Sequence, residues 1–325
     1  MLLLLRRLGF YAIALLIAIA VNFFVPRLAP GDPASALVAK LGTGADQASL
    51  ESLRTAYGLT DDPLGVQFLQ YLGNLATGDF GLSISRFPSP VTEVISGSLG
   101  WTVLLGSVAL IIAYLLGSTL GIVAAWYRGS WFDRTVPPVL IFIGSFPYFF
   151  LALLLVYVFA VGLGWFPIGQ AYSMPPEWSW EFVGDVLWHM ALPVTTVVLV
   201  TAGTWTLNMR NAMMSVTSED YLALAEAKGL SVRAVVFRHG ARNALLPSVT
   251  LLGGMIGAVV GGQVMVEIVF SYPGVGMILM NAVSAHDYPL IQTLFLIITV
   301  TVLAANFIVD IVYVLLDPRT REVTA

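Results

Sequence analysis

The sequence predicts an all-α integral membrane protein with six transmembrane helices and both termini on the cytoplasmic side. Three observations carry this. The chain of 325 residues is 58% hydrophobic and only 10% charged, whereas soluble domains carry about 25% charged residues. Six apolar runs approach or exceed the ~20 residues a helix needs to cross a bilayer. The basic residues are segregated by side: Arg6, Arg7, Arg128, Arg134, Arg210, Lys228, Arg233, Arg238, Arg242, Arg319 and Arg321, eleven of the fifteen Lys and Arg, fall together. By the positive-inside rule that side is cytoplasmic.

In chain order the runs lie near residues 8–25, 98–127, 136–162, 186–209, 244–266 and 288–316. The first follows Arg6-Arg7 but ends in Pro-Arg without a small-residue cleavage pattern, so it is expected to be a retained span over residues 1–26. Residues 27–97 form the one sizeable extracytoplasmic piece. Pro30-Gly31-Asp32-Pro33 opens it as a rigid turn, because each proline fixes its own φ and restricts its predecessor. Gly78-Asp79-Phe80-Gly81 makes a second turn, and the piece is too short to hold a large core of its own. Residues 98–317 form the five-helix membrane core, and 318–325 a cytoplasmic tail. The loops at 164–185 and 271–287 contain no Lys or Arg.

Within the core, residues 211–243 are a charge-dense cytoplasmic loop. Ser218 or Asp220 can cap a short helix, with Glu219 and Asp220 favourable at its positive end. Tyr221, Leu224, Ala225 and Lys228 are expected to share a face by i, i+3, i+4 spacing. Gly229 suits the left-handed position that ends a helix, and Ser231 can cap a second short helix bearing Arg233, Val236, Phe237 and His239. The residues alone fit either a solvated amphipathic connector or a docking element.

The chain carries no nucleotide chemistry of its own. A phosphate loop needs Gly-x-x-x-x-Gly-Lys-Ser/Thr, yet the two lysines, Lys40 and Lys228, are followed by Leu41 and Gly229. No catalytic constellation emerges. His189, His239 and His286 lack metal-ligand spacing, and with no cysteine there are no disulfides or thiolate sites. No basic stripe with interleaved aromatics suggests nucleic acid. Among polar residues near spans, Gln263 and Glu267 are candidates for a translocation path or outer gate, against an interfacial helix end. Asn208, Asn306 and Asp310 are read as path residues or interhelical pairs. Gly253-Gly254, Gly257 and Gly261-Gly262 form a small-residue packing face. Trp165, Phe166, Trp178, Trp180 and Trp188 read first as an interfacial belt.

Glu219-Asp220-Tyr221, Ala225, Ala227-Lys228-Gly229-Leu230, Arg238-His239 and Arg242-Asn243-Ala244-Leu245-Leu246-Pro247 resemble the cytoplasmic loop of ABC importer permeases of the dipeptide/oligopeptide/nickel family. The resemblance runs through Pro30-Gly31-Asp32-Pro33, Tyr57-Gly58-Leu59, Gly78-Asp79-Phe80-Gly81, Glu267, Phe270, Pro273-Gly274, Gly276, Asp287-Tyr288-Pro289, Gln292 and Asp317-Pro318-Arg319. One departure stands out. The wider importer motif starts with Glu six residues before its glycine, where this chain has Ala223, and Glu219 is not its equivalent by spacing.

The resemblance implies a type I ABC importer permease fold in the bacterial cytoplasmic membrane. It implies a homologous second permease, two cytoplasmic ATPase subunits that hold ATP and Mg, and an extracytoplasmic substrate-binding protein. Glu219, Asp220, Tyr221, Leu224, Ala225, Ala227, Lys228 and Gly229 would then form the coupling helix docked on an ATPase, with Arg238, Arg242, Asn243 and Pro247 supporting the loop. The implied substrates are di- or oligopeptides, with oligosaccharides or nickel chelates as alternatives carried by the same machinery. An ion-coupled secondary transporter is the remote alternative, since it would call for ionisable residues at the midplane and inverted repeats.

Overall fold

The computed structural model describes residues 2–28 and 62–316, apart from a minority of side chains, most of them at helix ends and in the first half of the helix that starts at Ala241. Pro30-Gly31-Asp32-Pro33, Tyr57-Gly58-Leu59 and Asp317-Pro318-Arg319 lie outside these residues. Every regular element within them is helical. Among the described residues four helices are long and apolar enough to cross a membrane, over Arg6–Val25, Val91–Trp126, Trp180–Thr217 and Tyr288–Ile308, and a bent pair makes a fifth if taken as one span.

Contacts divide the chain into two units. The first comprises residues 1–102 and 273–303. Its α1 (Leu2–Leu28) exposes Phe10, Ile13, Leu16 and Ile17, a surface suited to hydrocarbon rather than water. Near its end Phe23 is fully buried against Phe68 and Tyr71 of α2 (Leu64–Thr77), with ring centroids 5.1 and 5.4 Å apart. The start of α3 (Val91–Trp126) contributes Val91, Val94 and Ile95 to an apolar core. Ile278, Leu279 and Ala282 of α9 (Val275–Ser284) and Leu290 and Leu294 of α10 (Tyr288–Leu316) complete it. α1 therefore ends at Leu28 and α3 begins at Val91, both inside the expected loop of residues 27–97.

The second unit comprises residues 103–272 and 304–325. Here the expected third span departs from a single helix. α4 (Trp131–Gly144) and α5 (Tyr148–Leu155), which widens into a π-helical stretch at Val156–Gly162, are bent by 102°. Pro147 explains the break, because a residue preceding proline is driven out of the α region and the ring supplies no N–H. The longest helix, α6 (Trp180–Thr217), packs on α4 and contacts α3 through small residues. A Cβ added to Gly117 would lie 2.4 Å from Trp205 Cβ, and one at Gly121 2.5 Å from the Thr206 carbonyl oxygen. This Gly-x-x-x-Gly pair lets α3 approach the α6 backbone, as small residues do in membranes. The expected glycine face at 253–262 lies largely outside the described side chains.

α7 (Asp220–Ala227) and α8 (Ala241–Val269), the latter preceded by a second π-helical stretch at Ala234–Gly240, complete the unit. An ion pair braces the start of α4 against the later part of α6. Arg210 donates through Nε and Nη2 to both oxygens of the buried Asp133, whose Oδ2 also accepts from Gly129 N–H.

Candidate functional site: the cytoplasmic bracket and the outer helix end

The bracket begins where α6 stops. Ser218 does not cap the next helix as expected; its hydroxyl donates to Ser215 O at 2.7 Å and closes α6 instead. Asp220 is the first helical residue of α7, so it lies in the first turn, where its charge favours the helix dipole. At the other end Gly229 adopts φ +74°, and Leu230 N–H reaches back to Ala225 O at 3.4 Å while Lys228 N–H donates to Leu224 O. That is a Schellman-type ending, in which a left-handed residue lets the chain turn and satisfy late carbonyls. Ser231 then caps the following stretch, accepting from Ala234 N–H at 3.4 Å.

The two faces of α7 differ. Leu222 (3% exposed) and Ala225 (6%) pack with Val235, and Trp126 and Val216 close the cluster. Tyr221, Leu224 and Lys228 point outward, Leu224 with 56% of its surface exposed, and Glu219, Asp220 and Ala227 are exposed too. Asn243 Nδ2 donates to the Tyr221 hydroxyl at 2.8 Å, tying α7 to the start of α8. The structure thus corrects one expected site residue. Ala225 belongs to the packed face and is covered by Val235. Leu222, not singled out from the sequence, is its partner there. Arg238 and Arg242 are exposed on the bracket, and the Pro247 side chain lies outside the described residues.

At the opposite end of α8, Gln263 (2% exposed) and Glu267 (0%) are brought together, Gln263 Nε2 donating to Glu267 Oε1 at 3.1 Å. An interfacial end reaching headgroups or water is therefore excluded for Glu267 in this conformation. Glu267 O accepts from Tyr272 N–H at 2.8 Å, and burial, then the Glu267 charge, pushes the Tyr272 phenol well above its ordinary value. Gln263 Oε1 would lie 2.5 Å from a Cβ at Gly106 of α3, so the glycine leaves room for the amide. The loop before α6 closes on the same helix end: Gln170 N–H donates to Phe270 O at 2.8 Å, and Gly169 sits where a Cβ would fall 2.2 Å from that oxygen.

Several other polar residues resolve into structural roles. His189 Nδ1 lies 2.8 Å from Asp185 O and 3.3 Å from its carboxylate, one turn back. Asn208 donates to Thr204 O in its own helix. Asp287, in the first unit, is fully buried and accepts from the Ser83 and Ser85 hydroxyls, Ser85 N–H and Leu290 N–H. It staples the loop at Ser83–Ser85 to the start of α10. Among the described residues no group of three or more His, Cys, Asp or Glu could hold a metal. Trp178 and Trp180 stand fully exposed, while Phe166 stacks on Trp188 with centroids 4.7 Å apart.

A helical membrane chain with a folded polar bracket between two of its helices defines a class, and comparison with known families states it. Residues 117–322 match the family of binding-protein-dependent transport system inner membrane components, and residues 1–94 match the N-terminal family of the same membrane components. The chain belongs to this family: it is the permease subunit of an ABC importer and resides in the inner membrane. It is 38% identical over 310 residues to a putative peptide permease of Brucella suis, covering 95% of this chain and 96% of the relative. It is 36% identical, with the same coverage, to the oligopeptide transport system permease protein AppB of Bacillus subtilis. To the glutathione transport system permease protein GsiC of Salmonella choleraesuis it is 38% identical, covering 97% of both chains.

Proposed function

We propose that this chain imports di- or oligopeptides, forming the translocation path with a second, homologous permease. Relatives of near-equal length whose names specify peptide, oligopeptide and glutathione transport support that substrate class over oligosaccharides and nickel chelates. In this reading α8 is a span in its own right and the bent pair is another, giving six, with both termini cytoplasmic as the distribution of Lys and Arg requires. ATP and Mg²⁺ are held by two ATPase subunits, and an extracytoplasmic protein delivers the peptide.

The observation that carries the mechanism is the two-faced α7. A connector has no need for one face locked onto Val235 and Trp126 while Leu224 and Lys228 stand clear. We assign the outward face to a groove of the ATPase. Closure of the two ATPases on ATP moves α7, and the inward packing of Leu222 and Ala225 transmits that movement to α3 and α6. The buried Gln263–Glu267 pair, 3.1 Å apart, sits at the far end of α8 and acts as part of the outer gate.

The test is uptake of radiolabelled tri-alanine and maltotriose in cells lacking the native transporter and supplied with the complete system. Tri-alanine uptake that depends on this chain supports the reading. Maltotriose uptake without tri-alanine uptake overturns the substrate class.

A further inference from the structure

The first unit contains a polar cavity of about 100 Å³ that the coupling mechanism does not use. It is lined by Arg27 at the end of α1, Gln67, Tyr71 and Asn74 on α2, Asp79 in the following turn, and Gln292 on α10. Two features mark it as built to bind. Gln292 is 6% exposed, yet among the described residues its Nε2 has no hydrogen-bond partner, although its backbone oxygen accepts from Asn22. A buried amide donor left unpaired is costly, and native proteins seldom leave one without a use. Arg27 is held in place: its guanidinium lies 3.7 Å from the Phe23 ring centroid, with Nε donating to Gln67 Oε1 at 3.3 Å and Nη1 to Phe23 O at 3.1 Å. Among the described residues those two bonds use Nε and Nη1 and leave Nη2 to face the cavity, on a cation whose position is already fixed.

We propose that this cavity is a subsite for the carboxylate of a small peptide, with Arg27 supplying the charge and Gln292 Nε2 a buried hydrogen bond. A carboxylate offers up to four acceptor sites, which suits a guanidinium nitrogen and an amide N–H₂ together. The size fits a terminal group. With roughly 10–15 Å³ per water position, the space holds several waters or the end of a peptide, not an oligopeptide. Asp79, whose Oδ1 accepts from Gly81 N–H, adds a negative wall that favours ligands also carrying an ammonium and disfavours a second anion. The proposal rests on the peptide reading given above.

The experiment uses the permease purified with its partner subunits but without the binding protein. Isothermal titration compares tri-alanine with its C-terminal amide. Tri-alanine is expected to bind about tenfold or more tightly than the amide, the ratio one charge-assisted bond supplies. Gln292→Leu should remove most of that preference. Asn74→Ala, an exposed change on α2 that leaves the fold alone, should weaken both ligands by a smaller factor. Equal binding of acid and amide, or no binding of either, overturns the subsite. So does an Arg27→Gln variant that titrates tri-alanine like wild type; if the same variant no longer retains the binding protein when that protein is added back to the complex, the cavity is a protein-docking socket. Normal tri-alanine uptake by the complete system beside a flat titration removes the subsite and leaves the substrate class intact, whereas absence of uptake removes the substrate class itself.

Discussion

Replacing Gly229 tests whether backbone conformation at the end of α7 sets coupling. Gly229 holds φ +74°, and a Cβ built there meets nothing within 4 Å. Alanine therefore costs no steric clash within the chain, only the left-handed conformation itself, about 1–2 kcal/mol. That is a roughly 5- to 30-fold shift away from the turn that lets Leu230 N–H reach Ala225 O. Asparagine tolerates this region better than alanine, and valine tolerates it worst. The assay is peptide taken up per ATP hydrolysed in proteoliposomes carrying each variant complex. Coupling should fall in the order Gly, Asn, Ala, Val, with membrane insertion unchanged. An order that follows side-chain size, with alanine mildest and asparagine worse, would refute the reasoning and place a steric contact with the ATPase at this position instead.

Other outcomes follow from the same packing. Asp133→Asn leaves the part-buried Arg210 without its carboxylate and should destabilise the complex by about 1–3 kcal/mol in thermal unfolding, while an Asp133→Leu/Arg210→Met double variant should recover most of the loss. Asp287→Ala frees the Ser83 and Ser85 hydroxyls at about 1.5–3 kcal/mol per uncompensated bond and should make residues 78–90 more sensitive to limited proteolysis. Glu267→Gln should lower peptide uptake while leaving the complex assembled on gel filtration; wild-type uptake would return Glu267 to a purely structural role.

The sequence was legible where length and periodicity decide. Spans are long and apolar because hydrocarbon demands it, and the bracket's caps are local, so Gly229 and Ser231 announced themselves. Three features were not legible. Asp133 and Arg210 lie 77 residues apart, and no local rule pairs them. The Gly117/Gly121 contact gave no signal of its own, because a Gly-x-x-x-Gly spacing does not say which helix will lie against it. Ala225 was misplaced because, at about 100° per residue, it sits about 40° from Tyr221 and about 60° from Leu222 on the helix wheel. Such a borderline position is settled by what packs opposite, and only the fold brings Val235 there. The bend before Pro147 had a signal, the proline itself, but its 102° size reflects packing that local rules do not reach.

Docking of α7 on the ATPase is tested most directly by cysteine cross-linking, for which the cysteine-free chain offers a clean background. Cysteine would be placed singly at Leu224, which is 56% exposed, and at Ala225, which is 6% exposed, in the assembled complex. The account predicts strong cross-linking to the ATPase subunit from Leu224→Cys, responsive to ATP, and little from Ala225→Cys. Cross-linking from Ala225→Cys but not Leu224→Cys, or from neither, would contradict it.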